Sequence, residues 1–188
     1  MIRKKPWNRI NAPVYSVSTA HGAAYNMNIC TYTTAVSMQP KQFIVAIYED
    51  TKTLELVKQS NRLVLQLLAE SQYRLIPLLG QKSGKKIDKI ARLEKRSLIS
   101  EWQGFKILKE ALAVMELKII NSFAGGDHQL FLCELVAYKN LNEAQKLENK
   151  TDIFLENQEV GFNYLWGSPE AIGNRHDFSV SQSFDFPT

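Results

Sequence analysis

Cysteine, histidine and long apolar runs are all scarce in this sequence. No apolar run approaches the roughly 20 residues that a membrane-spanning helix needs, and the first ten residues lack the apolar core of a signal peptide. The two cysteines, Cys30 and Cys133, are too few and too far apart for a disulfide framework, and neither has metal-ligand spacing. We therefore expect a cytoplasmic protein with reduced, buried cysteines, without a membrane span and without a metal site.

The composition is that of a globular protein. The 188 residues are 45% hydrophobic and 22% charged, which excludes a disordered chain and leaves room for one substantial core. We expect a single domain over residues 1–167. The polar tail at 168–188, with its scattered phenylalanines, is expected to be an arm lying on a partner subunit or a frayed end.

The positive charge is concentrated in one segment. The formal net charge is +4, and residues 82–96 (KSGKKIDKIARLEKR) hold seven Lys or Arg against two acidic residues. The rest of the chain is therefore slightly acidic. Because aromatic residues are not interleaved with these charges, the segment is a weak match to a nucleic-acid-binding barrel, and we expect no nucleic-acid partner.

A polar, strand-like stretch, Tyr25–Pro40 (YNMNICTYTTAVSMQP), is the feature around which the sequence is organised. Apolar and β-branched residues are interleaved there with amide and hydroxyl side chains, which predicts a strand. Buried polar groups without partners cost roughly 1–3 kcal/mol each, so these side chains fit a strand that faces a polar ligand. The alternative is a half-exposed strand whose threonines serve only its β-propensity.

The remaining periodicity predicts a sheet with few helices. Short β-branched or buried apolar runs predict further strands, at 14–19, 43–48, 61–68, 105–108, 111–120 and 130–136. Helical spacing begins at Thr53 and occurs again at 71–79 and 87–93. Because the helices do not alternate regularly with the strands, the pattern predicts a mainly β fold, a mostly antiparallel barrel with peripheral helices.

Two short segments are candidates for binding a ligand. Thr51 or Thr53 is the candidate N-cap of the first helix, and the helix start with Lys52 offers amide donors, hydroxyls and charge to a phosphate group. A capped surface helix without a ligand is the alternative. Gly126 lets the backbone turn tightly, so that Asp127 and His128 stand at the start of a buried strand.

Five short motifs occur in the order that is typical of one family. A strand ending in AVSMQP is followed by DTKT, by KSG with DK close behind, by GDH and by YLWG, at 35–40, 50–53, 82–89, 126–128 and 164–167. In these motifs, over about residues 10–167, the chain resembles the flavin reductase-like family of FMN-binding split barrels, which flavoredoxin also typifies.

The resemblance implies a six-stranded, antiparallel, Greek-key-like split barrel that binds FMN, usually as a homodimer with each flavin near the subunit interface. It implies one set of residues for the flavin ring and ribityl chain and another for the phosphate: Asn26, Asn28, Thr31, Tyr32, Thr33 and Thr34 for the first, and Thr51, Lys52 and Thr53 for the second. Asp127 and His128 look like the family's nicotinamide-site turn. His128 is the expected contact with the reducing substrate, and a histidine satisfied by backbone groups at a strand end is the alternative.

The resemblance further implies oxidoreductase chemistry carried by the cofactor, with hydride passing from NAD(P)H to FMN while the protein positions the flavin. Its charge alone motivates the hypothesis that the basic segment 82–96 attracts the pyrophosphate of NAD(P)H, which neutralising Lys85, Lys86 and Lys89 together would test. The candidate acceptors of the electrons are free flavin for a partner monooxygenase, an iron complex, or another protein. The chain departs from the family at Asn28-Ile29-Cys30, where members often have Met-Thr and then a small residue, and at Ala35, where they often have proline. These departures leave the electron donor open.

Two alternatives to a flavin reductase remain at this point. One is an FMN-binding electron carrier that does not itself oxidise NAD(P)H. The other is a related split barrel that binds haem, for which the three candidate imidazole ligands are His21, His128 and His176.

Overall fold

The computed structural model describes residues 11–144 and residue 146. The strands, in chain order, are β1 Tyr15–His21, β2 Ala24–Cys30, β3 Thr33–Ser37, β4 Gln42–Tyr48, β5 Arg62–Leu67, β6 Ile99–Trp102, β7 Phe105–Leu108, β8 Ala113–Gly125 and β9 His128–Asn140. The helices are α1 Lys52–Ser60, α2 Ile76–Gln81 and α3 Lys89–Glu94, with a 3-10 turn at Glu70–Leu75 directly before α2.

Seven strands form one sheet in the order β2-β1-β5-β8-β9-β4-β3, and β6 and β7 form a separate hairpin. All neighbouring strands of the sheet run antiparallel. The two edge strands, β2 and β3, are consecutive in the chain, with only Thr31 and Tyr32 between them. The sheet therefore has to curl until its edges meet at these two residues. The prediction of a mainly β, antiparallel barrel is confirmed.

The polar stretch predicted as one strand is two strands. β2 ends at Cys30 and pairs with β1, whereas β3 starts at Thr33 and pairs with β4 at the opposite edge of the sheet. The mixture of apolar and polar residues continues through the break, so periodicity does not locate it. The sheet consequently has seven strands where six were predicted, and residues 31 and 32 carry the chain across the seam.

The main apolar cluster fixes α1 against the sheet. Leu54 and Val57 stand three positions apart, which puts them on one face of α1. They pack with buried residues of the strands, among them Val17, Val45 and Leu65. Burying an apolar side chain of this size stabilises the fold by about 1.5–3 kcal/mol. The N-terminus of α1 is therefore held in one place beside the sheet.

A second apolar cluster joins the smaller helices to β2. Met27 of β2 packs with Leu79 of α2 and with Ile90 and Leu93 of α3, and all four are buried. This packing covers one side of β2 and brings the start of α3 close to the strand. The polar residues of β2 consequently have α3 as a neighbour.

The other predicted elements agree with the structure except at two places. The strands predicted at 14–19, 43–48, 61–68, 105–108, 111–120 and 130–136 correspond to β1, β4, β5, β7, β8 and β9, the last two being longer than predicted. The helix predicted at 71–79 is divided into the 3-10 turn and α2, and β6 was not predicted because its four residues are too few to show a period.

Candidate functional site

A cleft opens at the seam of the barrel, where the chain crosses from β2 to β3. The end of β4 and the start of α1 form its opposite side. In one chain it has a volume of about 130 Å³ and is open to solvent, and its walls are made by Val17, Asn28, Ile29, Cys30, Thr31, Tyr32, Ala46, Ile47, Tyr48, Thr51, Thr53, Gly80 and His128. The backbone N–H of Ala46 donates to the carbonyl of Tyr32 at 2.9 Å, which fixes the crossing segment against β4.

Thr51 is the N-cap of α1, one of the two predicted candidates. Its Oγ1 accepts a 3.2 Å hydrogen bond from the backbone N–H of Leu54 and donates at 2.9 Å to the carbonyl of Tyr48 at the end of β4. The backbone N–H groups of Lys52 and Thr53 have no acceptor within the helix, because the first turn of an α-helix lacks preceding carbonyls. The cleft therefore contains a helix N-terminus with amide donors.

Asn26 and Thr53 connect β2 to α1 behind the cleft. Nδ2 of Asn26 donates to Oγ1 of Thr53 at 2.7 Å, and both residues are buried. Gly84 lies directly against this pair, since a Cβ on it would stand 2.4 Å from Oδ1 of Asn26. The loop between α2 and α3 is thus packed onto the Asn26 side chain as closely as a glycine allows.

Asn28 is held by a buried lysine. Nζ of Lys89, at the start of α3, donates to Oδ1 of Asn28 at 2.7 Å and to the carbonyl of Leu79 at 2.7 Å. Lys89 is 2% exposed. Desolvation of its ammonium lowers the pKa of Lys89 to about 8. This contact places a cation directly behind one wall of the cleft.

Three aromatic rings meet at the other side of the cleft. The ring of His128 lies edge-on to Tyr32 and to Tyr48, with centroid distances of 5.2 and 5.5 Å. Nδ1 of His128 is 2.6 Å from Oδ1 of Asp127. A carboxylate only accepts, so Nδ1 is the nitrogen that carries the proton. Burial, followed by the charge of Asp127, raises the pKa of the Tyr32 hydroxyl, which stays protonated at neutral pH.

Cys30 lines the cleft as an unreactive thiol. Its Sγ is 3.2 Å from Oγ1 of Thr33, and burial raises the pKa of Cys30 to about 11. Because the thiolate is the nucleophilic form, Cys30 is not a candidate nucleophile at neutral pH. Cys133 is likewise buried, and both cysteines are free thiols.

The structure brings most of the predicted site residues together. Six of them line the cleft: Asn28, Thr31, Tyr32, Thr51, Thr53 and His128. Asn26, Thr33 and Asp127 contact lining residues through the hydrogen bonds described above. Lys52 and Thr34 do not line the cleft, and Thr34 is exposed on β3. The assignment of these residues to parts of a flavin stays a prediction.

The sequence did not predict seven residues of the cleft wall, among them Tyr48, Cys30 and Gly80. Tyr48 ends the apolar run of β4 and is 49% exposed there. A large aromatic residue at the end of a buried strand was the signal that could have found it. Cys30 and Gly80 gave no signal, because a small apolar residue has no preference for a cleft over a core.

The basic segment is not a continuous cationic patch. Nζ of Lys85 lies 2.7 Å from a carboxylate oxygen of Asp50 and 3.0 Å from one of Glu55, which ties the loop between α2 and α3 to the start of α1. Lys89 is buried. That the 82–96 segment attracts the pyrophosphate of NAD(P)H stays a prediction, and within it Lys85 is paired with two carboxylates and Lys89 is 2% exposed.

Other classes of site find little support in the described part of the chain. No group of three His, Cys, Asp or Glu residues within it is arranged to hold a metal ion. Of the three histidines considered for haem, His21 is exposed at the end of β1, His128 contacts Tyr32 and Asp127, and His176 lies outside the described residues. None of the helices between residues 11 and 146 is long and apolar enough to cross a bilayer.

This fold and cleft define a small-molecule-binding split barrel, with polar groups, amide donors and aromatic rings converging at one seam. The chain belongs to the flavin reductase-like family, since the family model described as a flavin reductase like domain matches residues 7–156. The family predicted from the motifs is confirmed. Four of the five motifs fall within that match, and the YLWG motif at 164–167 lies outside it and outside the described residues.

Two relatives illustrate the family. A relative from Nostoc sp. named as a diflavin flavoprotein is 28% identical over 131 residues, which cover 69% of this chain and 22% of the relative. RutF of Acinetobacter baylyi, named as an FMN reductase (NADH), is 26% identical over 56% of this chain and 54% of its own length. This chain therefore spans about a fifth and about half of these two relatives.

A solved structure shares the fold. BorF, the flavin reductase component of a bacterial two-component tryptophan halogenase, superposes with a TM-score of 0.68 over 77% of this chain and 89% of its own, at 17% identity. The predicted split-barrel architecture thus agrees with a flavin reductase structure.

Proposed function

We propose that this protein is an FMN-binding flavin reductase that takes hydride from NAD(P)H. The observation that carries the proposal is the cleft at the barrel seam, where a capped helix N-terminus, amide and hydroxyl side chains of β2 and three aromatic rings converge. A flavin mononucleotide has a phosphate, a polyhydroxylated chain and an aromatic ring with acceptor and donor atoms. Each of these parts has a chemically matching group in the cleft.

The phosphate is assigned to the start of α1. The amides of Lys52 and Thr53, the partial positive charge of the helix end and the Lys52 ammonium all favour an anion there. Thr53 already accepts from Asn26, so its hydroxyl proton remains available to donate to a phosphate oxygen. Thr51 is occupied as the helix cap, and its role is to hold the amides in place.

When bound, FMN supplies the redox chemistry by accepting a hydride from the nicotinamide ring. The residues of the chain bind and orient the two reactants. Amide and hydroxyl groups of β2 and of the crossing segment would hold the polar edge of the flavin ring. His128, whose ring makes edge contacts with Tyr32 and Tyr48, is assigned to the nicotinamide nucleotide. Its hydrogen bond to Asp127 fixes the orientation of the imidazole.

An anaerobic titration tests the activity. The purified protein loaded with FMN is mixed with NADH or NADPH, and the absorbance of the oxidised flavin is followed without an added partner. Bleaching by either nucleotide is the expected result. If dithionite bleaches the flavin but neither nucleotide does, the protein is an FMN-binding electron carrier and not a reductase. A protein that does not retain FMN at all would overturn the proposal.

A pair of lysine variants tests the phosphate assignment. Lys52→Ala should weaken FMN binding by about tenfold, the loss of one charge-assisted hydrogen bond, and leave riboflavin binding unchanged. Lys58→Ala, at the far end of the same helix, is the matched control and should bind both ligands as the natural chain does. Equal effects of Lys52→Ala on FMN and riboflavin would show that the phosphate lies elsewhere.

The acceptor of the electrons is also part of the proposal. BorF is named as the reductase component of a two-component system, which supports a partner enzyme, such as a monooxygenase, that consumes reduced flavin. A homodimer is proposed as the assembly, supported by the limited volume of the cleft in one chain.

A further inference from the structure

Among the described residues, the Lys89 ammonium is a buried charge behind the cleft that apolar packing does not explain. Lys89 opens α3 and is turned inward to 2% exposure. The residues that follow it in α3, Ile90 and Leu93, belong with Leu79 to one buried apolar cluster. Burying an ammonium costs free energy unless the charge is paired and hydrogen-bonded, and the usual partner of a buried cation is a carboxylate.

Within the described residues, the partners of Lys89 are neutral oxygens. Nζ donates to Oδ1 of Asn28 and to the carbonyl of Leu79, each at 2.7 Å, and no opposite charge counters the desolvation. The Lys89 ammonium therefore uses its hydrogen bonds on these two uncharged oxygens. Leu79 directly precedes Gly80, and both Asn28 and Gly80 line the cleft.

The contact decides which atoms Asn28 offers to a ligand. An amide side chain has one acceptor and two donors, and which end faces a site is ordinarily set by its partners. An ammonium has donors only, so the carbonyl oxygen of Asn28 is the atom that faces Lys89. The N–H donors are then the groups that the Asn28 amide has left for the cleft that it lines.

We propose that Lys89 is a positioning residue. By donating a hydrogen bond to Oδ1 of Asn28, it fixes the side-chain N–H groups of Asn28 as hydrogen-bond donors. These donors select an acceptor atom on the ring of the bound flavin. This inference rests on the proposed FMN site and adds a residue outside the cleft wall to it. Lys89 acts through Asn28 and does not itself contact the ligand.

A double-mutant cycle in the full chain tests the inference. Lys89→Met, Asn28→Ala and the combined variant are titrated with FMN by fluorescence quenching, and the thermal midpoint of each is measured without FMN. Each single variant should weaken FMN binding by up to about tenfold, the equivalent of one hydrogen bond. The combined variant should bind no more weakly than Asn28→Ala, because Lys89 has nothing left to position.

A spectroscopic arm separates positioning from general loosening of the fold. At saturating FMN, Lys89→Met should shift the flavin absorption bands relative to the natural chain, and should leave them unchanged in the Asn28→Ala background. A residue that only stabilises α3 would alter the thermal midpoint without altering the spectrum of the saturated protein. Lys109→Met, which removes an exposed lysine in a turn, is the control and should change neither.

Asn28→Asp provides a second route if Lys89→Met fails to fold. The carboxylate still accepts from Lys89 but has no N–H donor, so FMN affinity should fall about as far as in Asn28→Ala. Unchanged affinity in Asn28→Asp, or additive losses in the cycle, would overturn the positioning role while leaving FMN binding intact. Failure of the natural chain to bind FMN would overturn the proposed function and this inference together.

Discussion

The lysines of residues 82–96 show how environment separates side chains of identical chemistry. Lys85 is exposed and pairs with Asp50 and Glu55, which raises the pKa of its ammonium through hydrogen bonds to both carboxylates. Lys89 is buried among apolar residues, and desolvation lowers its pKa to about 8. Of these two lysines, only Lys89 therefore titrates in a pH range in which unfolding is readily measured.

The stability of the protein should depend on pH through Lys89. Its folded-state pKa of about 8 lies below the ordinary 10.5 of an unfolded chain, so between these values the unfolded state binds more protons and stability rises with pH. From pH 7 to pH 10 the natural chain should gain roughly 2 kcal/mol relative to Lys89→Met, and urea unfolding at both pH values measures this difference.

The comparison between the two chains removes other titrations from this measurement. Cys30 and Tyr15, whose pKa values burial raises, are present in both and change the two stabilities equally. A stability difference that stays constant between pH 7 and pH 10 would mean that Lys89 is not a buried ammonium.

The sequence predicted residues that line the cleft better than it predicted the buried residues behind the cleft wall. Thr51 could be named as a cap candidate because a threonine before a helical pattern has a local physical reason to be there. Lys89 could not be distinguished from the other lysines of the segment, because its buried position shows only in its tertiary contacts with Asn28 and with the carbonyl of Leu79. A charge run in a sequence indicates a solvated face, and the exception is created by tertiary contacts.

At the scale of elements, Thr51 links a strand end to a helix start. Thr51→Ala removes both the cap of α1 and the bond to the carbonyl of Tyr48, so the free energy of unfolding should fall by about 1 kcal/mol. Thr51→Ser retains the hydroxyl and is expected to lose only a fraction of that. Urea unfolding of the three chains makes the test, and equal stabilities of the alanine and serine variants would contradict the capping role.

The loop between α2 and α3 is tied to the site through Gly84. In Gly84→Ala the new Cβ would stand 2.4 Å from Oδ1 of Asn26, so Asn26 has to move and its 2.7 Å bond to Thr53 is lost. We expect a loss of about 1–3 kcal/mol in unfolding free energy, typical of overpacking.

Asn26→Ala provides the control for this steric explanation. Adding Gly84→Ala to that background should cost little, because the clashing oxygen is gone. A loss of the same size in both backgrounds would show that Gly84 is required for its own backbone and not for the approach to Asn26.

Most elements followed from local patterns, and the break at the barrel seam did not. Phe43–Tyr48 and 105–108 are apolar runs bounded by turn residues, and both are strands in the structure. Residues 31 and 32 lie inside a continuous strand-like pattern, yet Cys30 and Thr33 pair with strands at opposite edges of the sheet. Closure of the sheet is a long-range event, and it left no local signal in the sequence.

At the scale of the whole molecule, the cleft formed by the described residues of one chain is small for a flavin. Its cleft has about 130 Å³, whereas sites that bury a ligand of this size have about 300–1,000 Å³. Beside the cleft, the β8–β9 hairpin bears exposed apolar residues, among them Ile120 at 49% and Phe123 at 47%. His128 begins the second strand of this hairpin. A second subunit that covers the hairpin would enlarge and close the same cleft.

Phe123→Asp should therefore produce a monomer that binds FMN more weakly. A charge in a desolvated apolar contact is unfavourable, so sedimentation at micromolar concentration should show one chain where the natural protein shows two. FMN affinity should fall about tenfold with it, because one wall of the site is lost.

Tyr138→Asp is the matched control for this dimer test. Tyr138 is 68% exposed on the same strand pair, but it pairs with Met115 whereas Phe123 pairs with Leu130. The two positions are therefore about 27 Å apart along the hairpin at the usual strand rise. The control should remain dimeric with unchanged affinity. A natural chain that sediments as a monomer with FMN bound would show that one subunit suffices, and the flavin would then lie open to solvent on one face.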